Sequence, residues 1–314
     1  MASLRGRALM SVLRLIFHSP LSRSDKISDR FAAISKKMKA AYKVPVGYAH
    51  ERRLCDGVAY EVLLPDNRQT DLVLFHLHGG GFKVALNNYY RRTAENYSRL
   101  FGGAAVISVD YGTWPANELP SQMLDAVKVY RHLIAEGFLP EKMVFIGDSA
   151  GATLAMTACL FLRDHGLPLP RHNVCFSLWG DADSTGDSRI KNAYTDPFYG
   201  IAKRKRIEDN LHLLRRISVY VRNADRSDPY ISPCRGAFDG FPPTTLFCGT
   251  AELDESDSDR VYEKMKAAGV DVRLYKYDGM CHCFQMFAFL PESKDAFKKA
   301  VERVKYHERE FDES

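Results

Sequence analysis

The chain has 314 residues, of which 46% are hydrophobic and 26% charged, and its formal net charge is +5. These proportions are typical of a folded globular protein and exclude a disordered or collagen-like chain. No apolar run approaches the ~18 residues of a membrane-spanning helix, and the small net charge excludes a uniformly basic nucleic-acid-binding protein.

The first 45 residues show the apolar spacing of amphipathic helices. This spacing predicts one helix over residues 4–17 and a second that is capped by Ser24 and presents Ile27, Phe31, Ile34 and Met38 on one face. A secretion signal does not fit, because Arg14 interrupts the first apolar stretch and no small-residue cleavage pattern follows. We therefore expect a cytoplasmic protein.

Beyond residue 45, short β-rich runs alternate with helical patterns. Several of the runs are continuously apolar, as strands buried on both faces of a parallel sheet are. The alternation predicts a doubly wound α/β sheet. The predicted strands are 58–64, 72–77, 104–109, 143–146, 174–178, 244–247 and 272–277, and the predicted helices are 89–100, 120–135, 150–163, 256–268 and 294–308.

Residues 184–222 interrupt this alternation. They contain no convincing strand, and only residues 206–221 show a helix-like pattern. The segment is long enough to fold over the sheet as an insertion.

The sequence Gly147-Asp148-Ser149-Ala150-Gly151 joins the predicted strand 143–146 to the following helix. A G-x-S-x-G motif in this context places its serine on a sharp turn with the hydroxyl exposed, and the glycines make room for that turn. The motif predicts that Ser149 is a nucleophile.

A second glycine-rich motif, His78-Gly79-Gly80-Gly81-Phe82, follows the predicted strand 72–77. Consecutive glycines expose backbone N–H groups that can hold a developing oxyanion, so we predict that Gly79, Gly80 and Gly81 form an oxyanion hole. His78 lies on the same loop, and we interpret it as a residue that orients the loop.

A serine nucleophile needs a base and a carboxylate that orients the base. His282 follows the last predicted strand, at the sheet edge where such sites lie, and is the predicted base. Asp254 is the predicted carboxylate, because it precedes His282 and follows strand 244–247. We interpret Glu252 and Asp257 as helix-capping or solvated residues.

These motifs resemble the hormone-sensitive-lipase-like family of carboxylesterases. The H-G-G-G and G-D-S-A-G motifs of that family are both complete, and the resemblance extends from about residue 76 to residue 284. It implies the α/β-hydrolase fold, with a mostly parallel central sheet flanked by helices and a helical cap. The catalytic domain would comprise residues 46–183 and 223–314, and the cap residues 1–45 and 184–222.

The resemblance implies a serine carboxylesterase for short-to-medium acyl esters, with Ser149, Asp254 and His282 as its triad. The N–H of Ala150 would join the oxyanion hole. The acidic loop lacks the proline that usually follows the family's aspartate and a second aspartate four positions on, which makes Glu252 the fallback for the triad carboxylate. Phe82, Trp114, Trp179, Phe198 and Tyr199 are candidate pocket residues. Two other functions stay open: amide or peptide cleavage by the same triad, and a non-catalytic small-molecule receptor, against which His282 argues.

Seven cysteines without framework spacing predict free thiols in a reducing compartment. Cys281-His282-Cys283 resembles half of a zinc site, but no second pair follows, so we expect neither a metal ion nor another cofactor. The expected partner is a small-molecule ester. We expect no binding to nucleic acid and no stable insertion into a membrane, and we leave open whether the protein forms a homo-oligomer.

The positive charge is concentrated in the two cap segments, which carry +8 over residues 1–50 and +5 over residues 184–222, so the remaining residues carry −8. Solubility and attraction between cap and body explain this partition, and attraction of anionic substrates or lipid is the alternative.

Overall fold

The computed structural model describes residues 2–18, 42–215 and 217–312. Within them, eight strands form one sheet in the order β1-β2-β4-β3-β5-β6-β7-β8. Strand β2 is antiparallel to β1 and β4, and the other neighbours are parallel. The strands are β1 (Tyr48–Cys55), β2 (Val58–Pro65), β3 (Val73–Leu77), β4 (Ala105–Asp110), β5 (Met143–Asp148), β6 (His172–Phe176), β7 (Thr244–Gly249) and β8 (Val272–Tyr277).

All seven predicted strands are confirmed, with small shifts at their ends, and β1 was not predicted. Strand β1 is an edge strand that pairs with β2, and most of its side chains are exposed. Its charged centre, Glu51-Arg52-Arg53, suits a solvent-exposed edge. Because these residues are not apolar, the hydrophobic pattern did not predict the strand.

Helices cover both faces of the sheet. Residues that alternate along β3 and β5 point to opposite faces: Phe75 and Phe145 belong to one apolar core, and Leu74 and Val144 to the other. This arrangement confirms the α/β-hydrolase fold class. The described helices are α1 (Leu4–Phe17), α2 (Asn88–Leu100), α3 (Ser121–Ala135), α4 (Ala150–Asp164), α5 (Ser188–Lys191), α6 (Leu211–Leu214), α7 (Glu255–Ala267) and α8 (Pro291–Asp312).

The insertion at residues 184–222 does not contain the long helix predicted over residues 206–221. Described residues of that stretch form the short helix α6 between two 3-10 turns, Glu208–Asn210 and Val219–Val221. Leu214 and Val221 of this stretch are fully buried in two different apolar clusters, so tertiary packing outweighs the local helical pattern there. Further 3-10 turns are Pro140–Lys142, Pro233–Arg235 and Phe284–Met286.

Helix α1 has the predicted bounds and contacts both the body and the insertion. Ser3 Oγ caps the helix by accepting the Gly6 N–H, and it donates to Glu292 on α8. At the other end, the Phe17 ring packs 5.4 Å from the Phe198 ring of the insertion. The second predicted N-terminal helix, around residues 24–38, lies outside the described residues. None of the helices in the described ranges has the length and apolarity needed to cross a membrane.

Candidate active site

Ser149 occupies the sharp turn between β5 and α4. Its backbone is in a strained conformation with φ 53° and ψ −120°. The turn closes because a side chain is absent two residues later: a Cβ on Gly151 would overlap the carbonyl oxygen of Leu77, at the end of β3. The Ser149 N–H donates to Phe176 O at 2.9 Å, which fixes the turn against β6. Local sequence therefore exposes this hydroxyl at the carboxyl edge of the sheet.

His282 lies in the loop after β8, where the residue is 5% exposed. Its Nε2 is 2.8 Å from Ser149 Oγ, so the structure brings these two predicted residues into hydrogen-bond contact. Cys283 follows in the left-handed conformation, and its N–H donates to Ser177 Oγ at 2.8 Å. The loop backbone that carries the imidazole is thus hydrogen-bonded to Ser177, the residue that follows β6.

The carboxylate hydrogen-bonded to His282 is Glu252, which differs from the expected Asp254. His282 Nδ1 is 2.9 Å from Glu252 Oε2 and 3.6 Å from Asp254 Oδ2. Glu252 Oε1 also accepts hydrogen bonds from Ser177 Oγ at 3.0 Å and from the Gly249 N–H. Because a carboxylate only accepts, the hydrogen of the neutral imidazole lies on Nδ1, and in that form Nε2 accepts from Ser149. The geometry therefore favours the alternative residue.

Asp254 is engaged elsewhere, by an arginine of the insertion. Arg189 on α5 donates to Asp254 Oδ1 and lies 3.7 Å from Asp257 Oδ2. Asp257 was interpreted as capping or solvated, but it is fully buried and accepts the N–H groups of Gly180 and Asp181. Burial raises the pKa of Asp257 to about 7. Glu252, Asp254 and Asp257 are thus buried carboxylates with three different sets of contacts.

The glycine loop lies beside the serine turn, but its three N–H groups are not equivalent. The Gly79 N–H donates to the buried Asp148 carboxylate, whose pKa burial raises to about 6. Gly80 and Gly81 have positive φ angles, and a Cβ added to Gly81 would meet no heavy atom within 4 Å. Ala150 begins α4, so its N–H has no acceptor within the helix. Of the predicted oxyanion donors, the N–H groups of Gly80, Gly81 and Ala150 therefore remain as candidates.

His78 contacts the loop that carries it, as interpreted from the sequence. Its Nδ1 is 2.9 Å from Gly79 O, and its ring stacks on Tyr111 at 4.2 Å between centroids. The Tyr111 hydroxyl donates to His78 O at 2.7 Å. Burial lowers the pKa of His78 to about 4, so the imidazole is neutral at physiological pH.

Three aromatic rings pack together beside the glycine loop. The Phe82 ring is 6.0 Å from Trp179 and 4.9 Å from Tyr220, and Trp179 and Tyr220 are 5.6 Å apart. Tyr199 meets the His282 ring edge-on at 5.3 Å. Phe198 instead packs against Phe17, and Trp114 lies beneath the Lys83 ammonium group. Of the candidate pocket residues, Phe82 and Trp179 therefore pack against each other, and Tyr199 lies against His282.

Sequence reasoning missed Ser177, Arg189 and Tyr220. Ser177 had a detectable signal, because it is a polar residue within an otherwise apolar predicted strand, and it leaves the sheet with φ 51°. Arg189 and Tyr220 lie in the insertion, whose sequence did not indicate which of its side chains point inward.

All seven cysteines are buried free thiols.

Comparisons with known proteins agree with this fold and site. A family model described as alpha/beta hydrolase fold matches residues 74–286. The chain is 31% identical over 234 residues to an acetyl-hydrolase of Streptomyces hygroscopicus, covering 74% of this chain and 75% of that one. It is 32% identical over 250 residues to an esterase of Acinetobacter venetianus, covering 78% of each.

Solved structures are similar over nearly the whole chain. An esterase from the bacterial hormone-sensitive lipase family has a TM-score of 0.80 at 29% identity, covering 98% of this chain and 99% of that one. EstE5 soaked with ethyl alcohol has a TM-score of 0.81 at 29% identity with the same coverage. The chain therefore belongs to the α/β-hydrolase fold family. Within that fold it is a carboxylic ester hydrolase of the hormone-sensitive-lipase-like group, as its motifs indicated.

Proposed function

We propose that the protein is a serine carboxylesterase that hydrolyses short-to-medium acyl esters through an acyl-Ser149 intermediate. The observation that carries the proposal is the hydrogen-bonded chain from Ser149 Oγ to His282 and on to Glu252. Such a chain makes a hydroxyl nucleophilic, because the imidazole takes its proton while the carboxylate orients the imidazole. The proposed site needs no metal ion or organic cofactor.

The proposed reaction has two steps. Ser149 Oγ attacks the ester carbonyl and transfers its proton to His282 Nε2, while the N–H groups of Gly80, Gly81 and Ala150 hold the oxyanion. The C–O bond to the alcohol breaks, and His282 returns the proton to the departing alcohol. A water molecule then attacks the acyl-serine with His282 again as the base, releasing the acid and restoring the Ser149 hydroxyl.

A cap formed by residues 1–45 and 184–222 belongs to the same proposal. Its support in the described residues is contact between the two segments: Arg14 Nε donates to Thr195 O at 2.9 Å, and Arg204 reaches His18 O at 3.4 Å. Tyr199 and Tyr220 of the insertion lie against His282 and Phe82. The insertion therefore contributes part of the surface that an ester would meet.

The aromatic cluster at Phe82, Trp179 and Tyr220 supports a preference for short acyl chains, because rigid rings beside the glycine loop restrict the space for an acyl group. The similar proteins agree: one is named an acetyl-hydrolase, and EstE5 has been soaked with p-nitrophenyl butyrate. We expect kcat/KM for nitrophenyl esters to be highest with about two to six acyl carbons and to fall at least tenfold by about twelve.

The matched variants for this series are Tyr220→Ala and Tyr220→Phe. Removing the ring is expected to move the optimum to longer chains, whereas phenylalanine keeps the ring and should keep the wild-type order. A series in which chain length has no effect, or in which palmitate is the best substrate, would contradict the proposed substrate range. A nitroanilide of the best acyl group tests the amidase alternative, which would require a comparable kcat/KM for the amide.

Covalent labelling tests the nucleophile directly. EstE5 has a solved structure as EstE5-PMSF, and we expect the same sulfonyl fluoride to modify Ser149 here and to abolish ester hydrolysis. Mass spectrometry of the peptide that contains residues 147–151 should locate the adduct. Labelling of another residue, or complete labelling with activity retained, would refute the proposed acyl-serine chemistry.

The pH profile is expected to show an acid limb above the pKa of free imidazole. Burial alone would lower the pKa of His282, but the adjoining Cys283 and the hydrogen bond to Glu252 raise it well above the usual value. A base must be neutral, so kcat/KM should fall as the pH decreases through this raised pKa, with a midpoint above ~6.5. Rates measured with an uncharged ester from about pH 5 to 9 give the midpoint, and a midpoint below about 6 would contradict the assignment.

A further inference from the structure

Two carboxylates of one loop compete for the same hydrogen on His282. Nδ1 is 2.9 Å from Glu252 and 3.6 Å from Asp254, and both carboxylates are nearly inaccessible to solvent. Nδ1 has a single hydrogen, so one acceptor orients the imidazole at a time. A small rotation of the Asp254 side chain would bring its oxygen within hydrogen-bond distance, so distance alone does not keep Asp254 out.

The charge of Asp254 is engaged by Arg189. Arg189 donates to Asp254 Oδ1 and approaches Asp257, and its own side chain is only 8% exposed. A buried charge is costly unless it is paired. The ion pair therefore holds the Asp254 carboxylate toward the insertion and leaves Glu252 as the hydrogen-bond acceptor of His282.

The same part of the insertion also fixes the backbone of the acidic loop. Ser188 Oγ donates to Leu253 O at 2.5 Å, and Asn192 Nδ2 donates to Glu252 O at 2.7 Å. In the opposite direction, the Leu253 N–H donates to Asp196 Oδ2 at 2.8 Å. Residues 188–196 of the insertion thus hold both the backbone of Glu252 and the side chain of Asp254.

We propose that Arg189 is a positioning residue that holds Asp254 away from His282, so that Glu252 alone orients the imidazole. The insertion thereby takes part in assembling the triad, in addition to any contact with substrate. This inference rests on the proposed function, because it concerns the hydrogen-bond partner of the histidine in that reaction.

Removing Arg189 has two consequences under this proposal. Asp254 loses its donor and becomes a second acceptor for His282, and a positive charge disappears from the site, which favours protonated imidazole. The other titratable groups around Arg189 and His282 are the same in the wild-type protein and in its variants. They are Asp181, Asp196 and Asp257 around Arg189, and Asp148, Tyr199, Tyr220 and Cys283 around His282.

A double-mutant cycle separates positioning from simple structural support. In the wild-type background, Glu252→Gln is expected to lower kcat about 10³- to 10⁴-fold. In an Arg189→Met background, the same substitution should lower kcat less than about 10²-fold, because Asp254 now orients His282. If Arg189 only supported the fold, Arg189→Met would lower kcat by the same factor with and without Glu252→Gln. An equal or larger effect of Glu252→Gln in the Arg189→Met background would overturn the proposal.

The pH profile supplies a second readout. Arg189→Met is expected to move the acid limb of kcat/KM upward by about one pH unit, and Arg189→Lys, which keeps the charge, should restore most of the shift. Arg189→Met/Asp254→Asn removes both members of the pair and should return the limb close to its wild-type position. An acid limb that stays in place in Arg189→Met would overturn the electrostatic part of the proposal.

Asp254→Asn covers the case in which Arg189→Met does not fold, which circular dichroism would show. The arginine then remains without its main counter-charge, so the acid limb should move downward, and an unmoved limb would again overturn the proposal. Ser149→Ala distinguishes failure of the proposed function from failure of the Arg189 inference. If Ser149→Ala retains activity, the proposed function fails; if it is inactive while the cycle shows no coupling, the Arg189 inference alone fails.

Discussion

Replacement of Ser149 by alanine is expected to lower kcat for a short-chain nitrophenyl ester by about 10⁵- to 10⁶-fold. The substitution removes the proposed nucleophile but leaves the proposed oxyanion donors at Gly80, Gly81 and Ala150 in place, so a small residual rate above that of water should persist. Alanine adds no atom to the crowded turn at Gly151. The unfolding temperature should therefore stay close to that of the wild-type protein, and steady-state rates measure the chemical loss alone.

His282→Ala is the matched variant on the other side of the hydrogen bond. It should be nearly as inactive as Ser149→Ala, and the double variant should be little worse than either, because triad members act as a unit. Ser121→Ala, at the start of α3 and away from the site, should leave kcat unchanged. Wild-type rates in Ser149→Ala would refute the acyl-serine mechanism, whereas multiplying losses in the double variant would show that the two residues act independently.

The fold was largely predictable because its strands are buried and its helices have strong apolar faces. Strands β3, β5 and β7 are buried along their whole length, so each contains the continuous apolar run on which the prediction relied. Strand β1 lacks this pattern because it lies at the exposed edge. Residues 206–221 have a helical pattern but form only short helical turns. Apolar residues of this stretch, such as Leu214 and Val221, are buried from that irregular backbone.

The site was predictable where local sequence determines it. Ser149 and His282 each follow a recognisable strand, and the turn at Ser149 depends on glycines within two residues of it. Local sequence did not determine whether Glu252 or Asp254 is hydrogen-bonded to His282, because both lie on the same short loop. Ser177 and Arg189, which lie 75 and 65 residues earlier in the chain than the carboxylates they contact, favour Glu252.

Replacing the carboxylate by the corresponding amide is therefore expected to lower kcat far more at Glu252 than at Asp254. Glu252→Gln should lower kcat about 10³- to 10⁴-fold, because an amide that donates to Nδ1 stabilises the tautomer in which Nε2 carries the hydrogen and does not accept the Ser149 proton. Asp254→Asn should lower kcat less than about tenfold, since its carboxylate makes no hydrogen bond to His282 in the structure.

Stability should show the reverse order. Asp254→Asn leaves the buried Arg189 without its main partner and should lower the free energy of unfolding by about 3–5 kcal/mol. Glu252→Gln keeps an oxygen that accepts from Ser177 and Gly249, so its cost should be below about 1 kcal/mol. Rates on a nitrophenyl ester and urea unfolding, measured on the same two preparations, test both orders. A larger loss of kcat in Asp254→Asn than in Glu252→Gln would instead assign the triad carboxylate to Asp254, because only the group that orients His282 has a large effect on kcat when the fold is intact.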